Sequence, residues 1–321
     1  MTDSPLTGTL NHAVKYRLAV WGADMTAAKW LGLVLQASIV LTVLGLGLTA
    51  TWQDAMYLLK RPKLLLRAVL SMNIVMPTVA ALMATTFSLP IEIKAALVGL
   101  AVSPVPPLIH KKQIMAGGRR EYVIGLLVAM SLLAIVLVPS TVVILDHVFG
   151  RAAVIGPAAV ARIMLKTVLA PLLVGLLIRH WVPAAEKASG TVIAVAGVLL
   201  VVCAPIVLYG LWPLIRAYLG NGVVLMLAAL AVIGLGVGHF FGGPLPGDRT
   251  ALAMTTASRH PAVALAIATS GTVVELKLQP VLAIISLYLV VATIVSVPYQ
   301  KWRARAARTA PHIEAVGRGS A

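Results

Sequence analysis

The chain has 321 residues, of which 60% are hydrophobic and 11% charged, with a net charge of +16 and a mean hydropathy of +0.97. Soluble domains carry roughly a quarter charged residues, so this composition excludes them and reads as a polytopic membrane protein. Cys203 is the only cysteine, which excludes a disulfide framework and a thiolate metal cluster.

Residues 1–29 lack the compact apolar core and small-residue cleavage site of a signal peptide and read as an N-terminal arm. A spanning helix needs about 20 mostly apolar residues. On that criterion nine spans follow, at roughly 30–50, 62–86, 91–118, 121–147, 158–180, 191–214, 221–243, 249–274 and 278–300. The spans form one transmembrane domain over residues 30–302, and 303–321 form a basic cytoplasmic tail.

The basic residues alternate with the spans. Lys60, Arg61, Lys63, Arg119, Arg120, Arg179, Lys187, Arg249 and the stretch from Lys301 to Arg308 fall on one side, and the sparser Lys94, Arg151, Arg162, Arg216 and Lys277 on the other. The excess of Lys and Arg on cytoplasmic loops then places the C-terminus in the cytoplasm and the N-terminus outside, in the plasma or inner membrane. Such a distribution is drawn to the anionic headgroups of a lipid bilayer, and nucleic acid is not expected as a partner.

Two spans are interrupted. The third contains SPVPPLIHKK (103–112), with Pro104, Pro106 and Pro107, and the eighth contains TTASRHPAV (255–263), with Pro261. They are the second-to-last spans of a first group of four and a last group of four, joined by the fifth, and the two groups have opposite orientation. Paired breaks in two inverted halves point to a transporter's substrate site.

Proline stops one half-helix and is tolerated at the start of the next. Ser258 is the expected cap of the second half of the eighth span. Half-helix N-termini at membrane depth favour an anion, and His110, Lys111, Lys112, Arg259 and His260 lie beside the breaks. Lys112 is within snorkelling reach of the headgroups. Ser71 and Asn73, before Pro77 in the second span, hydrogen-bond between helices or line the same cavity.

All ten acidic residues lie in tails, connections or span ends. A charge at mid-membrane costs at least about 2.5–3.5 kcal/mol on insertion scales, so Arg259 needs a compensating partner. With no carboxylate at that depth, that partner is the substrate or a set of carbonyls.

From about residue 31 to 300 the chain resembles the bile acid:sodium symporter superfamily. The resemblance is carried by GLGLTATWQDAMYLLKRPKLLLRAVLSMNIVMP, by ALVGLAVSPVPPLIHKKQIMAGGRREYVIGLLVAMSLLAIVLVP and by GHFFGGPLPGDRTALAMTTASRHPAVALAIA. It implies an all-α fold of nine or ten helices, in panel and core subdomains, with two discontinuous helices that cross at the substrate and sodium sites. This chain looks like the nine-helix form.

In sodium-coupled members, the resemblance implies, the eighth span presents a Glu followed four and five positions later by Gln and Asn. Here those positions hold Thr255, Arg259 and His260. A Ser-Asn pair of the third span becomes Ile109 and His110, two hydroxyl ligands of the fourth become Val123 and Leu127, and a Gln of the second becomes Met72. The cysteine of the arsenite-efflux relatives has no counterpart in the third span.

The expectation is therefore a secondary transporter that moves a small organic anion by alternating access, by uniport or coupled to protons, since histidine titrates near neutrality. The substrate-binding candidates are Arg259, His110, His260, Ser258, Thr255, Lys111 and Asn73; no cofactor and no metal is expected. A sodium-dependent symporter with an altered ion site, and a non-transporting sensor or scaffold on the same fold, are the alternatives. An enzyme is not expected, because neither HExxH nor GxSxG occurs and no carboxylate neighbours His110 or His260 in sequence.

Overall fold

A computed structural model describes residues 30, 33–149, 157–220, 222–268 and 278–309. The N-terminal arm, Arg151, Lys277 and the chain beyond Thr309 lie outside the described residues. Among the described residues the structure is helical: α1 Leu33–Thr49, α2 Trp52–Met56, α3 Pro62–Thr86, α4 Ile91–Val102, α5 His110–Met115, α6 Arg120–Phe149, α7 Ala158–Trp181, α8 Ser189–Tyr218, α9 Val223–Phe241, α10 Pro246–Ala257, α11 Pro261–Ala268 and α12 Leu278–Thr309. Six of these, α3, α6, α7, α8, α9 and α12, are long and apolar enough to cross a membrane. Helix α1 is shorter, and the pairs α4–α5 and α10–α11 are the two interrupted spans.

Helix boundaries follow local chemistry. Thr51 and Asp54 form a capping box that starts α2, and Pro62 opens α3 at a position where its missing N–H costs nothing. Several single prolines stay within helices: Pro139 lies inside α6, Pro205 and Pro213 inside α8, and Pro298 inside α12. Helix α12 also runs past the expected tail boundary. Arg303, 9% exposed, donates to Thr250 Oγ1 at 2.8 Å and to the Pro246 carbonyl at 3.0 Å, so the start of the basic stretch is docked on α10.

In lipid, helices associate through small residues that let backbones approach. The α9–α10 contact is built this way: a Cβ on Gly238 would stand 2.5 Å from Ala253 Cα, and one on Gly234 2.9 Å from Ala257 Cα. Gly47 and Gly175 do the same between α1 and α7. Helix α8 lies at the periphery, with Val198, Val201 and Tyr209 exposed.

The basic connections converge at one end of the bundle. The Arg119 backbone N–H donates to the Gly247 carbonyl at 3.4 Å, and the Arg119 side chain reaches Asp248 at 3.7 Å. The Arg61 guanidinium lies 3.8 Å above the Tyr57 ring, with Arg119 5.2 Å from the same ring. Burial is the main influence that raises the Tyr57 pKa above its ordinary value.

Gly238→Val is expected to lower the thermal midpoint, because overpacking a close contact costs about 1–3 kcal/mol. Gly236→Val, where nothing stands within 4 Å of an added Cβ, should leave the midpoint unchanged in the same melting experiment.

Candidate functional site

Helix α4 ends because Pro104 and Pro106 follow it. Ser103 and Pro106 are extended, and a 3-10 turn at Pro107–Ile109 leads into α5. Helix α10 ends at Ala257, with Ser258 extended at φ −114° and ψ 144°, and the chain becomes helical again at Pro261. Each break exposes backbone groups inside the bundle, and each satisfies the other. The His260 backbone N–H donates to the Pro104 carbonyl at 3.1 Å, and Arg259 Nη1 donates to the Ser103 carbonyl at 3.2 Å.

Side chains close the remaining ends. Tyr288 of α12 donates its hydroxyl to the Ala257 carbonyl at 2.7 Å, and Ser103 Oγ donates to the Leu100 carbonyl at 2.8 Å. Gln113 Nε2 donates to the Ala251 carbonyl at 3.0 Å and also to Thr255 Oγ1, tying α5 to α10. Ser258 does not take the expected capping role. It terminates α10, its backbone N–H donating to the Thr255 carbonyl at 3.1 Å, and the Ala264 N–H of α11 goes to the His260 carbonyl at 3.0 Å.

Two π-helical segments flank the crossing, Leu70–Val75 in α3 and Leu165–Leu169 in α7. Such segments are rare and frequent at functional sites. The first brings Ser71 Oγ to 2.9 Å from Thr256 Oγ1 and leaves Asn73 Oδ1 shielded without a partner. The second brings Thr167 Oγ1 to 3.4 Å from His260 Nε2.

Of the residues singled out in the sequence, Arg259 and His260 therefore meet the first break directly. Arg259 is 1% exposed and His260 0%. Arg259 Nη2 and His260 Nδ1 are buried without a hydrogen-bond partner. His110 is buried at the start of α5, Thr255 is engaged with Gln113 and Ala251, and Asn73 stands on α3. Lys111 and Lys112 are exposed. Gln113, Thr167, Thr256 and Tyr288 join the site without having been anticipated; their only sequence signal was a polar side chain inside an apolar span.

Three of the positions at which the resemblance places oxygen ligands for sodium hold apolar side chains. Met72, Val123 and Leu127 are 1%, 2% and 2% exposed and belong to one apolar cluster with Val105 and Leu126. The crossing presents a buried guanidinium, the imidazole of His260 with that of His110 at the start of α5, and several carbonyls. Among the described residues no carboxylate pairs with Arg259, and an unused guanidinium donor is a group that a carboxylate or sulfonate would satisfy.

The model of the Sodium Bile acid symporter family matches residues 37–213, more than half of the chain. The match contains the first break and ends before the second. Comparison with curated proteins gives no match.

Tyr288→Phe removes the donor to a buried carbonyl, a loss of about 1–3 kcal/mol. The variant is expected to melt several degrees below the parent, and an unchanged midpoint would count against Tyr288 as the cap of α10.

Proposed function

The chain belongs to the Sodium Bile acid symporter family, and on that premise we propose that this membrane transporter moves a small organic anion by alternating access, without sodium coupling. One observation carries the reading: Arg259, wholly buried at the crossing, uses Nη1 on the Ser103 carbonyl and keeps Nη2 unpartnered. A buried charge at that depth is expensive unless compensated. An anionic substrate supplies the compensation that no side chain does, and binding energy is then greatest in the loaded state.

His260 and Thr167 extend the polar surface around Arg259 towards α7. His110, buried at the start of α5, is the second protonatable group of this reading, so movement is by uniport or with protons. Apolar packing at Met72, Val123 and Leu127 supports independence from sodium, because a hard cation takes oxygen ligands. In this reading the chain lies in the plasma or inner membrane with its C-terminus in the cytoplasm. The gathering of Arg61, Arg119 and Arg303 connections at one end supports that orientation.

A thermal-shift screen against small carboxylates and sulfonates, with and without sodium, identifies the ligand. Arg259→Gln is expected to weaken its binding at least about tenfold, the worth of one hydrogen bond to a charged group, while Arg259→Lys retains part of it. Uptake of that ligand into proteoliposomes should be equal in sodium and potassium media. Strict sodium dependence, or undiminished binding to Arg259→Gln, would overturn the reading.

A further inference from the structure

A second feature lies at the end of the bundle where the basic connections gather. The first turns of α3 and the last turn of α9 border a groove of about 460 Å³ lined by Lys63, Leu66, Arg67, Leu70, Phe240 and Phe241. Gly243, with φ +90°, turns the chain sharply after α9, and a Cβ there would stand 3.0 Å from Leu64 Cδ2. This turn brings the two helix ends together at the floor of the groove.

Along α3 the lining residues Lys63, Leu66, Arg67 and Leu70 run inward from the helix start, and Phe240 and Phe241 face them from the end of α9. Pro62 begins α3 and Phe241 ends α9, so the groove opens where two spans leave the hydrocarbon. Lys63 and Arg67 are exposed one turn apart on α3. Leu66 is 58% and Phe240 82% exposed, values that place hydrocarbon-seeking side chains against lipid tails in a bilayer. Phe240 and Phe241 pack edge to face, with ring centroids 5.3 Å apart, and form a stiff wall. No carboxylate lines the groove.

We propose that this groove is a specific site for an anionic phospholipid, with the headgroup phosphate between Lys63 and Arg67 and an acyl chain along Leu66, Leu70 and Phe240. Basic pockets between spans at the membrane boundary select anionic headgroups, and the apolar lining distinguishes a lipid from a free phosphate. The assignment is independent of the transported substrate. A lipid seated there bridges α3 and α9 and stabilises their contact.

The test is thermal unfolding of the full-length chain in a zwitterionic detergent, titrated with dioleoylphosphatidylglycerol, with dioleoylphosphatidylcholine and with glycerol phosphate. Only phosphatidylglycerol is expected to raise the midpoint saturably. Lys63→Gln/Arg67→Gln should require about 25-fold more of that lipid, roughly fivefold for each cation lost. Lys63→Arg/Arg67→Lys, and Lys187→Gln/Lys301→Gln with the same charge removed elsewhere, should respond like the parent. Leu70→Trp, which fills the groove and leaves its charge intact, should lose the response. Equal stabilisation by both lipids, stabilisation by glycerol phosphate, an equal loss in the Lys187/Lys301 variant, or a full response in Leu70→Trp would each overturn the assignment.

Discussion

The hydrogen bonds between the two breaks are the constraint around which the bundle is arranged. Backbone that leaves the helical pattern inside a membrane has no water to satisfy it, and each orphaned group costs several kcal/mol. Here the Pro104 carbonyl takes the His260 N–H and the Ser103 carbonyl takes Arg259 Nη1. Neither break is tenable alone. The reciprocity fixes α4–α5 and α10–α11 against each other in one register, and the polar side chains of the crossing take their places from it.

Close approach of the surrounding helices follows from that requirement. A Cβ on Gly99 of α4 would meet the Ala264 carbonyl of α11 at 2.5 Å, so the absence of a side chain there lets the two interrupted spans touch. Gly234 and Gly238 bring α9 onto α10 in the same way. Outside the crossing the packing is apolar, with Leu97, Leu100, Leu227 and Ile284 sharing one core. Polar contacts are thereby concentrated where the backbone is irregular, and apolar burial holds the rest.

The spans and the two breaks were legible in the sequence because length, hydropathy, the clustered prolines of the first break and the polar residues beside Pro261 at the second are local signals. Pro104, Pro106 and Pro107 together differ visibly from the lone Pro139, Pro205, Pro213 and Pro298, which stay within helices, and the lone Pro261 stands out by the Ser, Arg and His before it in an apolar span. The extent of α12 to Thr309 was not legible, because its last turns are held by Arg303 on Thr250 and Pro246, a contact across more than fifty residues. The same holds for Gln113 on Thr255 and Thr167 beside His260. Ser258, available by residue type as a cap for α11, instead ends α10, because residue type alone does not show which of two adjoining helix ends a serine serves. The depth and burial of Arg259 followed from its place in the span, whereas its bond to Ser103 required the fold.

Charge arithmetic links the fixed guanidinium to the ion chemistry. Two unit charges 4 Å apart interact by roughly 4 kcal/mol at an effective dielectric of about 20, so a mobile cation near Arg259 meets repulsion comparable to the worth of a good ligand set. Met72, Val123 and Leu127, at which the resemblance would place oxygen ligands, are buried in one apolar cluster and offer a cation no such offset. In the proposed reading the two features act in the same direction: the apolar cluster gives a cation little attraction, and the guanidinium held on the Ser103 carbonyl repels it. A positive group that does not leave with the substrate stores no ion gradient. The proposed cycle therefore draws its driving force from the anion's own gradient or from protons taken up at histidine, and in it Arg259 selects for negative charge.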